Sequence, residues 1–542
     1  MDIMKSTKMN CADEQKHRCH TVTVRNNDSE TNYEKPNLKG DWLNFSLLLL
    51  LYTMQGLPLG IINGIPLIMQ SKNNVTYQEQ ALFTLVGVPY CIKLLWAPLV
   101  DTFYVQKLGR RKSWLIPVQF LIGMCFIYIA SDIDNILPEK GIPKIKRLVY
   151  IFSICTFLIT TQDIVVDGWA LTILKKKNVG YASTCNTSGI AIGLMIGTIC
   201  STLLTSKKFS NKYLWATPHE EGMTTLKDLF RLLGVFYLLV TILIAVFKKE
   251  KDCTLSDGYV KLNIQQNYTL LFKTFKLRSV QKLAIALLTA KIGFAATESV
   301  TSLQLIDYGV SKDDIAVINT GMYAVKMIIP FFTAKYTAGS NSINVYLLVI
   351  FIRLCCNIPF VIIIYEMTNV KNIADHDVYF QFCYYLVLVF MLLVQEVLTY
   401  IIFISILSFF YRISDLCYGG TYMTLLNTLL NLGNSWTSYI ALAAIDYLTV
   451  KTCSTHYKRN DNPLYLEETF KKTEDCQIVV RGYYVEIAVC TLIGIIWFVI
   501  FKNVLRNLQN LRPSQWLVKD TVKRPKTGTT KNVFTIAIPS CT

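Results

Sequence analysis

The chain is a succession of long apolar runs separated by short polar joints. An α-helix needs about 20 apolar residues to cross the hydrocarbon core of a bilayer. Runs of that length fall at about 43–70, 79–100, 113–131, 148–174, 180–205 and 227–247, and again at about 281–306, 315–337, 343–366, 379–411, 419–449 and 483–502. The pattern predicts an all-α polytopic membrane protein with 12 transmembrane helices, spans 1 to 12 below, arranged as two six-helix halves. Polar stretches mark the divisions. Residues 1–42 form an N-terminal tail, 43–247 the first half, 248–280 a basic linker, 281–502 the second half, and 503–542 a basic C-terminal tail. The first 42 residues contain no short apolar core followed by a small-residue cleavage site, so span 1 reads as an uncleaved anchor.

Lysine and arginine decide the orientation, because cations resist translocation. An even number of spans puts both tails on one side, and the basic excess behind the net charge of +17 gathers in the segments on that side. Both tails and the linker are therefore expected to be cytosolic. With 52% hydrophobic and 17% charged residues, nearly the whole chain is membrane domain. A nucleic-acid role would need a soluble basic domain, which the pattern excludes, and anionic lipid headgroups are the simpler partner of the positive face.

The two halves share motifs. Tyr90-Cys-Ile-Lys93 in span 2 returns as Tyr323-Ala-Val-Lys326 in span 8, and Gln162-Asp163 in span 4 returns as Gln395-Glu396 in span 10, both at a spacing of 233 residues. Gly180 and Gly193 of span 5 return as Gly420 and Gly433 of span 11 at a spacing of 240. A parallel duplication of a six-helix unit accounts for these matches. Between spans 2 and 3, Asp101-Thr-Phe-Tyr-Val-Gln-Lys-Leu-Gly109-Arg110-Arg111-Lys112 resembles the loop signature of the major facilitator superfamily. Gly109 suits a tight turn, and Asp101 at a helix end suits pairing with Arg110 or Arg111 as a gate that opens when the halves rock.

Four stretches carry a narrower likeness: Gln55-Gly-Leu-Pro-Leu-Gly60, Lys93-Leu-Leu-Trp-Ala-Pro-Leu-Val-Asp101, Gln162-Asp-Ile-Val-Val-Asp-Gly-Trp-Ala170 and Gly419-Gly-Thr-Tyr-Met-Thr-Leu-Leu-Asn427. Together with Val179-Gly-Tyr-Ala-Ser-Thr-Cys-Asn186 and Gly482-Tyr-Tyr-Val-Glu486, they resemble the acetyl-coenzyme A transporter family. The resemblance runs from span 1 to span 12. It implies a carrier in the endoplasmic reticulum membrane that brings cytosolic acetyl-coenzyme A into the lumen for acetylation, with free coenzyme A as a candidate counter-substrate. It implies no cofactor. Oligomeric state is left open, a homo-oligomer included.

Charges inside apolar spans each need a reason, since one at mid-bilayer costs roughly 2.5–3.5 kcal/mol on insertion scales. The spans hold Lys93, Lys291, Lys326, Arg353, Asp163, Asp167, Glu298, Glu396 and Glu486. Asp163 and Asp167 are one helical turn apart on span 4 and repel unless a cation such as Lys93 or Lys291, or water, intervenes. Lys93 and Lys326 hold matching positions in the two halves, so both are expected to face a central cavity and offer positive charge to an anion. Acetyl-coenzyme A presents phosphates for Lys or Arg and an adenine for an aromatic face such as Trp96, Trp169, Tyr90 or Tyr181. Asn427 and Glu396 complete the candidate substrate-contacting residues. Packing is the competing role for the aromatics, and a structural ion pair is the competing role for Lys93 with Asp163.

Most of the 16 cysteines sit in apolar runs and read as buried thiols. Cys453 and Cys476, in the longest outer loop at about 450–482, are a candidate disulfide if that loop meets an oxidising lumen. Asn74-Val-Thr76 is a sequon close to span 1. A membrane acyltransferase is the rival class, but His17, His20, His219, His376 and His456 all lie in tails or loops, leaving no intramembrane imidazole for base catalysis or metal binding. The chain has no phosphate-binding loop of the ATP-driven type. The same fold moving another large organic anion, nucleotide-like or peptide-like, is the nearest alternative.

Overall fold

A computed structural model describes residues 36–71, 82–138, 143–205, 207, 210–211, 222–250, 263–307, 310, 312–374, 378–415, 418–458 and 471–518. Span 1 is the helix Trp42–Ser71, span 3 Lys112–Ile136, span 4 Ile145–Ile173, span 5 Tyr181–Thr202 and span 6 Leu226–Phe247. In the second half, span 8 is Lys312–Thr337, span 9 Ser342–Ala374, span 10 Val378–Ile413, span 11 Gly419–Leu448 and span 12 Gly482–Gln509. A linker helix, Ile264–Phe275, precedes span 7 and starts from a reciprocal capping box between Asn263 and Gln266.

Among the described residues nine helices are long and apolar enough to cross a membrane. Spans 8 and 11 are helices of 26 and 30 residues that carry more polar groups. Span 2 is broken. It runs as a 3₁₀ turn at Thr84–Gly87, a short helix Val88–Ile92, a second 3₁₀ turn Lys93–Leu95 and a short helix Ala97–Thr102. Pro89 and Pro98 lack the N–H that a continuous ladder needs. Span 7 is also broken, without a proline, after Arg278–Ala290, with a 3₁₀ turn at Lys291–Phe294. Broken helices at membrane depth are tolerated where they are covered by protein or line a cavity, and span 7 lines one.

Span packing follows the glycines. Gly56 and Gly60 of span 1 face Gly193 and Gly197 of span 5, and a methyl on Gly56, Gly60, Gly193 or Gly197 would meet a backbone oxygen of the other helix at 2.2–2.4 Å. Small residues four apart let the two backbones touch, a common device for joining helices in lipid. Gly433, the repeat partner of Gly193, plays the same part between spans 11 and 7, where a methyl would meet the Leu287 carbonyl at 2.5 Å. The duplication read from sequence is thus a duplication of packing.

One element lies outside the all-helical expectation. Strands β1 (Val450–Lys458) and β2 (Lys471–Val480) form an antiparallel hairpin between spans 11 and 12, with Cys453 opposite Cys476 in the register. The side chains of residues 451–480, the Asn74 sequon, and residues 1–35 and 519–542 of the tails lie outside the described residues.

The described chain ends share one end of the bundle. Asp41, just before span 1, accepts hydrogen bonds from the Lys175 backbone N–H at 2.9 Å and from Asn178 Nδ2 at 3.0 Å in the turn between spans 4 and 5. After span 12, the Gln515 carbonyl accepts from Ser279 Oγ at 2.9 Å at the start of span 7. This end is called the tail side below.

Candidate functional site

At the tail side, Asp101 is fully enclosed and serves both halves. Its Oδ1 accepts from Arg111 Nη1 at 2.6 Å and pairs with Arg110 Nη2 at 3.2 Å. Its Oδ2 accepts from the backbone N–H and the hydroxyl of Thr421, each at 2.7 Å. Thr421 opens span 11 in the other half, so one carboxylate ties the 2–3 loop to the exposed donors of a helix N-terminus. The Arg111 guanidinium lies in the space left by two glycines: a methyl on Gly168 would meet it at 2.5 Å, and one on Gly420 at 3.1 Å. Gly109 takes the left-handed turn expected of it, φ +93°. Glu250, at the end of span 6, accepts from the backbone N–H groups of Arg111 and Lys112, which caps the start of span 3. Span 5 repeats the arrangement, because Gly180, the counterpart of Gly420, packs on the Ala338 backbone of the 8–9 loop. On the tail side the halves are closed.

Deeper in the bundle the repeated charges form repeated ion pairs. Lys93 Nζ donates to Asp163 Oδ2 at 2.6 Å, and Lys326 Nζ lies 2.5 Å from Glu396 Oε1. These are the residues that the 233-residue spacing relates. Their surroundings differ. The Lys93 and Asp163 side chains are 5% and 11% exposed, those of Lys326 and Glu396 26% and 33%.

Asp167 is held differently from its neighbour Asp163. Oδ1 accepts from Tyr52 Oη at 2.7 Å and Tyr411 Oη at 2.8 Å, and Oδ2 from Asn427 Nδ2 at 3.0 Å, with Asn186 Nδ2 3.4 Å from Oδ1. The donors come from spans 1, 5, 10 and 11, so this knot also joins the two halves. Tyr400 Oη of span 10 adds a bond to the Thr187 carbonyl of span 5 at 3.0 Å. Of the two cations the sequence offers for Asp163 and Asp167, Lys93 is the one beside them: it pairs directly with Asp163 and lies within electrostatic reach of Asp167. Lys93 neutralises one, and hydroxyl and amide donors satisfy the other.

A cavity of about 1010 Å³ opens within the second half, lined by spans 7 to 11. Lys291, Lys326, Arg353 and Glu396 line it, joined by Glu298. Lys291 Nζ donates to both oxygens of Glu298 at 2.9 Å, while Arg353 Nη2 is 3.1 Å from Glu298 Oε1. Arg353 also donates through Nη1 to the Gln395 carbonyl at 3.0 Å and lies over the Phe294 ring, 4.8 Å from its centroid. Three cations and two carboxylates leave the wall one positive charge in excess. The cavity continues toward the outer ends of its spans, past Thr301, Ser302 and Leu305.

The remaining sequence candidates do not line this cavity. Lys93 and Asp163 are sealed against each other. Trp96 donates to Thr161 Oγ1 at 3.2 Å and packs on Phe157, Trp169 is 2% exposed, and Tyr181 sits edge-on to Phe45. In this conformation each of the three is engaged in packing contacts, Trp169 buried and Trp96 and Tyr181 half-buried. Asn427 serves Asp167. Tyr52 and Tyr411 escape the sequence reading because an isolated hydroxyl in an apolar span gives no pattern, and Asn186 lies inside a quoted motif that does not disclose its partner. Thr421, although inside a quoted motif, shows its role only once span 11 is set against the 2–3 loop.

A family model described as acetyl-coenzyme A transporter 1 matches residues 44–262 and 254–518. An uncharacterized membrane protein of Saccharomyces cerevisiae is 30% identical over 88% of this chain and 98% of its own length. The anhydromuropeptide permease of Escherichia coli is 28% identical over 28% of this chain and 29% of the permease. Two solved structures share the fold. The major facilitator superfamily transporter FucP, in its outward conformation, has a TM-score of 0.52 and 12% identity, covering 84% of this chain and 98% of its own. The proton:xylose symporter XylE has a TM-score of 0.51 and 11% identity, covering 86% and 96%.

Proposed function

From the premise that this chain belongs to the acetyl-coenzyme A transporter family, we propose that it carries acetyl-coenzyme A from the cytosol into the lumen of the endoplasmic reticulum by alternating access, the tail side being cytosolic. The observation that carries this reading is the cationic wall of the second-half cavity, built from Lys291, Lys326 and Arg353. Ligand sites commonly run from roughly 300 to 1,000 Å³, so this one suits a large guest. The 3′-phosphate and diphosphate of the cargo compete with Glu298 and Glu396 for the same cations, replacing internal ion pairs by charge-assisted contacts. Apolar wall residues such as Leu388 and Phe403 suit the acyl-pantetheine arm.

The closed tail side supplies the rest of the cycle. In this conformation Asp101 bridges the halves through Thr421, so cargo leaves away from the tails. Loading from the cytosol requires those contacts to break, and cargo that binds the open state more tightly shifts the population toward it.

The likeness to the anhydromuropeptide permease favours a second reading, a peptide-like anion in the same cavity. Uptake of labelled acetyl-coenzyme A into proteoliposomes, with and without coenzyme A inside, separates the two. Saturable uptake, abolished by excess unlabelled acetyl-coenzyme A and insensitive to anhydromuropeptide, is expected. Absence of saturable uptake with active uptake of the muropeptide overturns the first reading. Faster uptake into coenzyme A-loaded vesicles identifies exchange.

A further inference from the structure

A second concave site lies on the tail side, away from the transport cavity. It occupies about 720 Å³ between the end of the linker helix, the start of span 7 and the end of span 12. Lys273, Lys276, Arg278 and Lys282 line it, and none of its lining residues is acidic. Ser279, Asn507 and Ser514 contribute polar groups, while Val504, Leu508 and Leu511 give it an apolar wall. Linker and span meet here by sequence design. The linker helix ends at Phe275, and only Lys276 and Leu277 separate it from the helix that begins at Arg278, so cations from two helices converge on one groove.

Position and charge together select the ligand. Arg278 begins span 7 and Gln509 ends the span 12 helix, which sets the groove at the level where headgroups meet the protein. Clustered Lys and Arg at that depth attract anionic lipid, each contributing separately. One phosphodiester neutralises one cation, so four converging cations match a headgroup that bears several phosphates, and the apolar wall offers a course for its acyl chains. We propose that this groove binds a polyphosphorylated inositol lipid of the membrane leaflet on the tail side.

Because Ser279 bonds to the Gln515 carbonyl and Tyr422 to the Trp516 carbonyl, an occupied groove braces the segment that follows span 12 against the first turn of span 11, next to Thr421. The site is therefore linked physically to the gate.

Native mass spectrometry of the full-length chain released from nanodiscs tests the proposal. Nanodiscs contain phosphatidylcholine with a few per cent of phosphatidylinositol bisphosphate, phosphatidylserine at equal total charge, or neither. Retention of the bisphosphate lipid is expected, and it should fall at least tenfold in a Lys273→Gln, Lys276→Gln, Lys282→Gln triple variant. Retention should hold in a Lys175→Gln, Lys176→Gln, Lys177→Gln variant, which removes a tail-side basic run outside the groove. A Lys276→Arg, Lys282→Arg variant, which keeps the charge, should bind as wild type and shows that loss reflects charge and not misfolding. Undiminished retention in the groove triple variant overturns the site. Equal retention of phosphatidylserine overturns the headgroup. Equal binding of soluble inositol trisphosphate to delipidated protein overturns the lipid in favour of a free phosphate ligand.

Discussion

Lys93 with Asp163 and Lys326 with Glu396 are the same pair twice, and the two halves use it in opposite ways. In the first half the pair is enclosed; in the second it forms part of a cavity wall. A buried pair offsets its own desolvation and little more, so in the first half it holds span 2 to span 4. In the second half, partial access to water lowers the cost of parting the charges, and an incoming anion can claim the lysine. A repeated motif therefore fixes the geometry of the pair, and the surrounding half sets how accessible that pair is.

The comparison breaks most visibly if each carboxylate is neutralised in turn. Asp163→Asn removes the direct partner of enclosed Lys93, leaving Asp167 as its nearest named carboxylate, and should cost up to about 3–5 kcal/mol, read as a large drop in thermal unfolding temperature of the purified protein. Glu396→Gln, at a partly exposed pair, should cost under about 1 kcal/mol. Equal losses would mean that the two pairs do the same work.

Affinity provides the next contrast. Lys326→Gln or Arg353→Gln should raise the dissociation constant for acetyl-coenzyme A about tenfold to a hundredfold, from the roughly 1.5–3 kcal/mol of a charge-assisted contact. Free coenzyme A should suffer equally, whereas acetyl-pantetheine, which lacks the phosphates, should not. Lys93→Gln should leave affinity unchanged in whatever fraction folds. Isothermal titration of the folded variants decides it, and an equal loss at Lys93 would return both lysines to one central site.

The smallest effect belongs to the gate. Thr421→Val removes one of the two donors to Asp101 Oδ2 and is worth about 0.5–1.5 kcal/mol, a twofold to tenfold shift toward the state open on the tail side. A thiol introduced at buried Thr424, one turn farther along span 11, should then react correspondingly faster with an impermeant reagent added from the tail side. Binding affinity should stay within about twofold, since neither Thr421 nor Asp101 lines the cavity. A large affinity loss with unchanged labelling would contradict a gating role.

What was legible in sequence follows from what makes a periodic or costly signal. Apolar runs marked the helices because lipid demands them. Charges within those runs stood out, and the shared 233-residue spacing paired Lys93 with Lys326 and Asp163 with Glu396 before any contact was known. Which lysine meets the cavity depends on how each half closes around it, and that is a property of tertiary packing. The break in span 2 had a visible cause in Pro89 and Pro98 that an apolar-run reading passes over. The hairpin at 450–480 also has a sequence signal, since Val450-Lys-Thr-Cys-Ser-Thr-His-Tyr is rich in β-branched residues, but a polar connection between two apolar spans reads first as a loop. Of the knot around Asp167, the carboxylate and Asn427 were marked in sequence, while the hydroxyls of Tyr52 and Tyr411 carried no pattern.

The glycine seam between spans 1 and 5 bears on which positions tolerate change. Cavity lysines can be exchanged for glutamine at the expense of affinity alone, whereas at Gly56, Gly60, Gly193 and Gly197 even one added methyl would meet a backbone oxygen at 2.2–2.4 Å, a contact that no rotamer relieves. In a scan of all single substitutions scored by protein abundance, the deepest trough should therefore run along this seam, which contributes no residue to the second-half cavity, while the cavity wall appears permissive. Inherited loss of such a carrier would then arise more readily from two helices that cannot approach than from a phosphate that cannot bind.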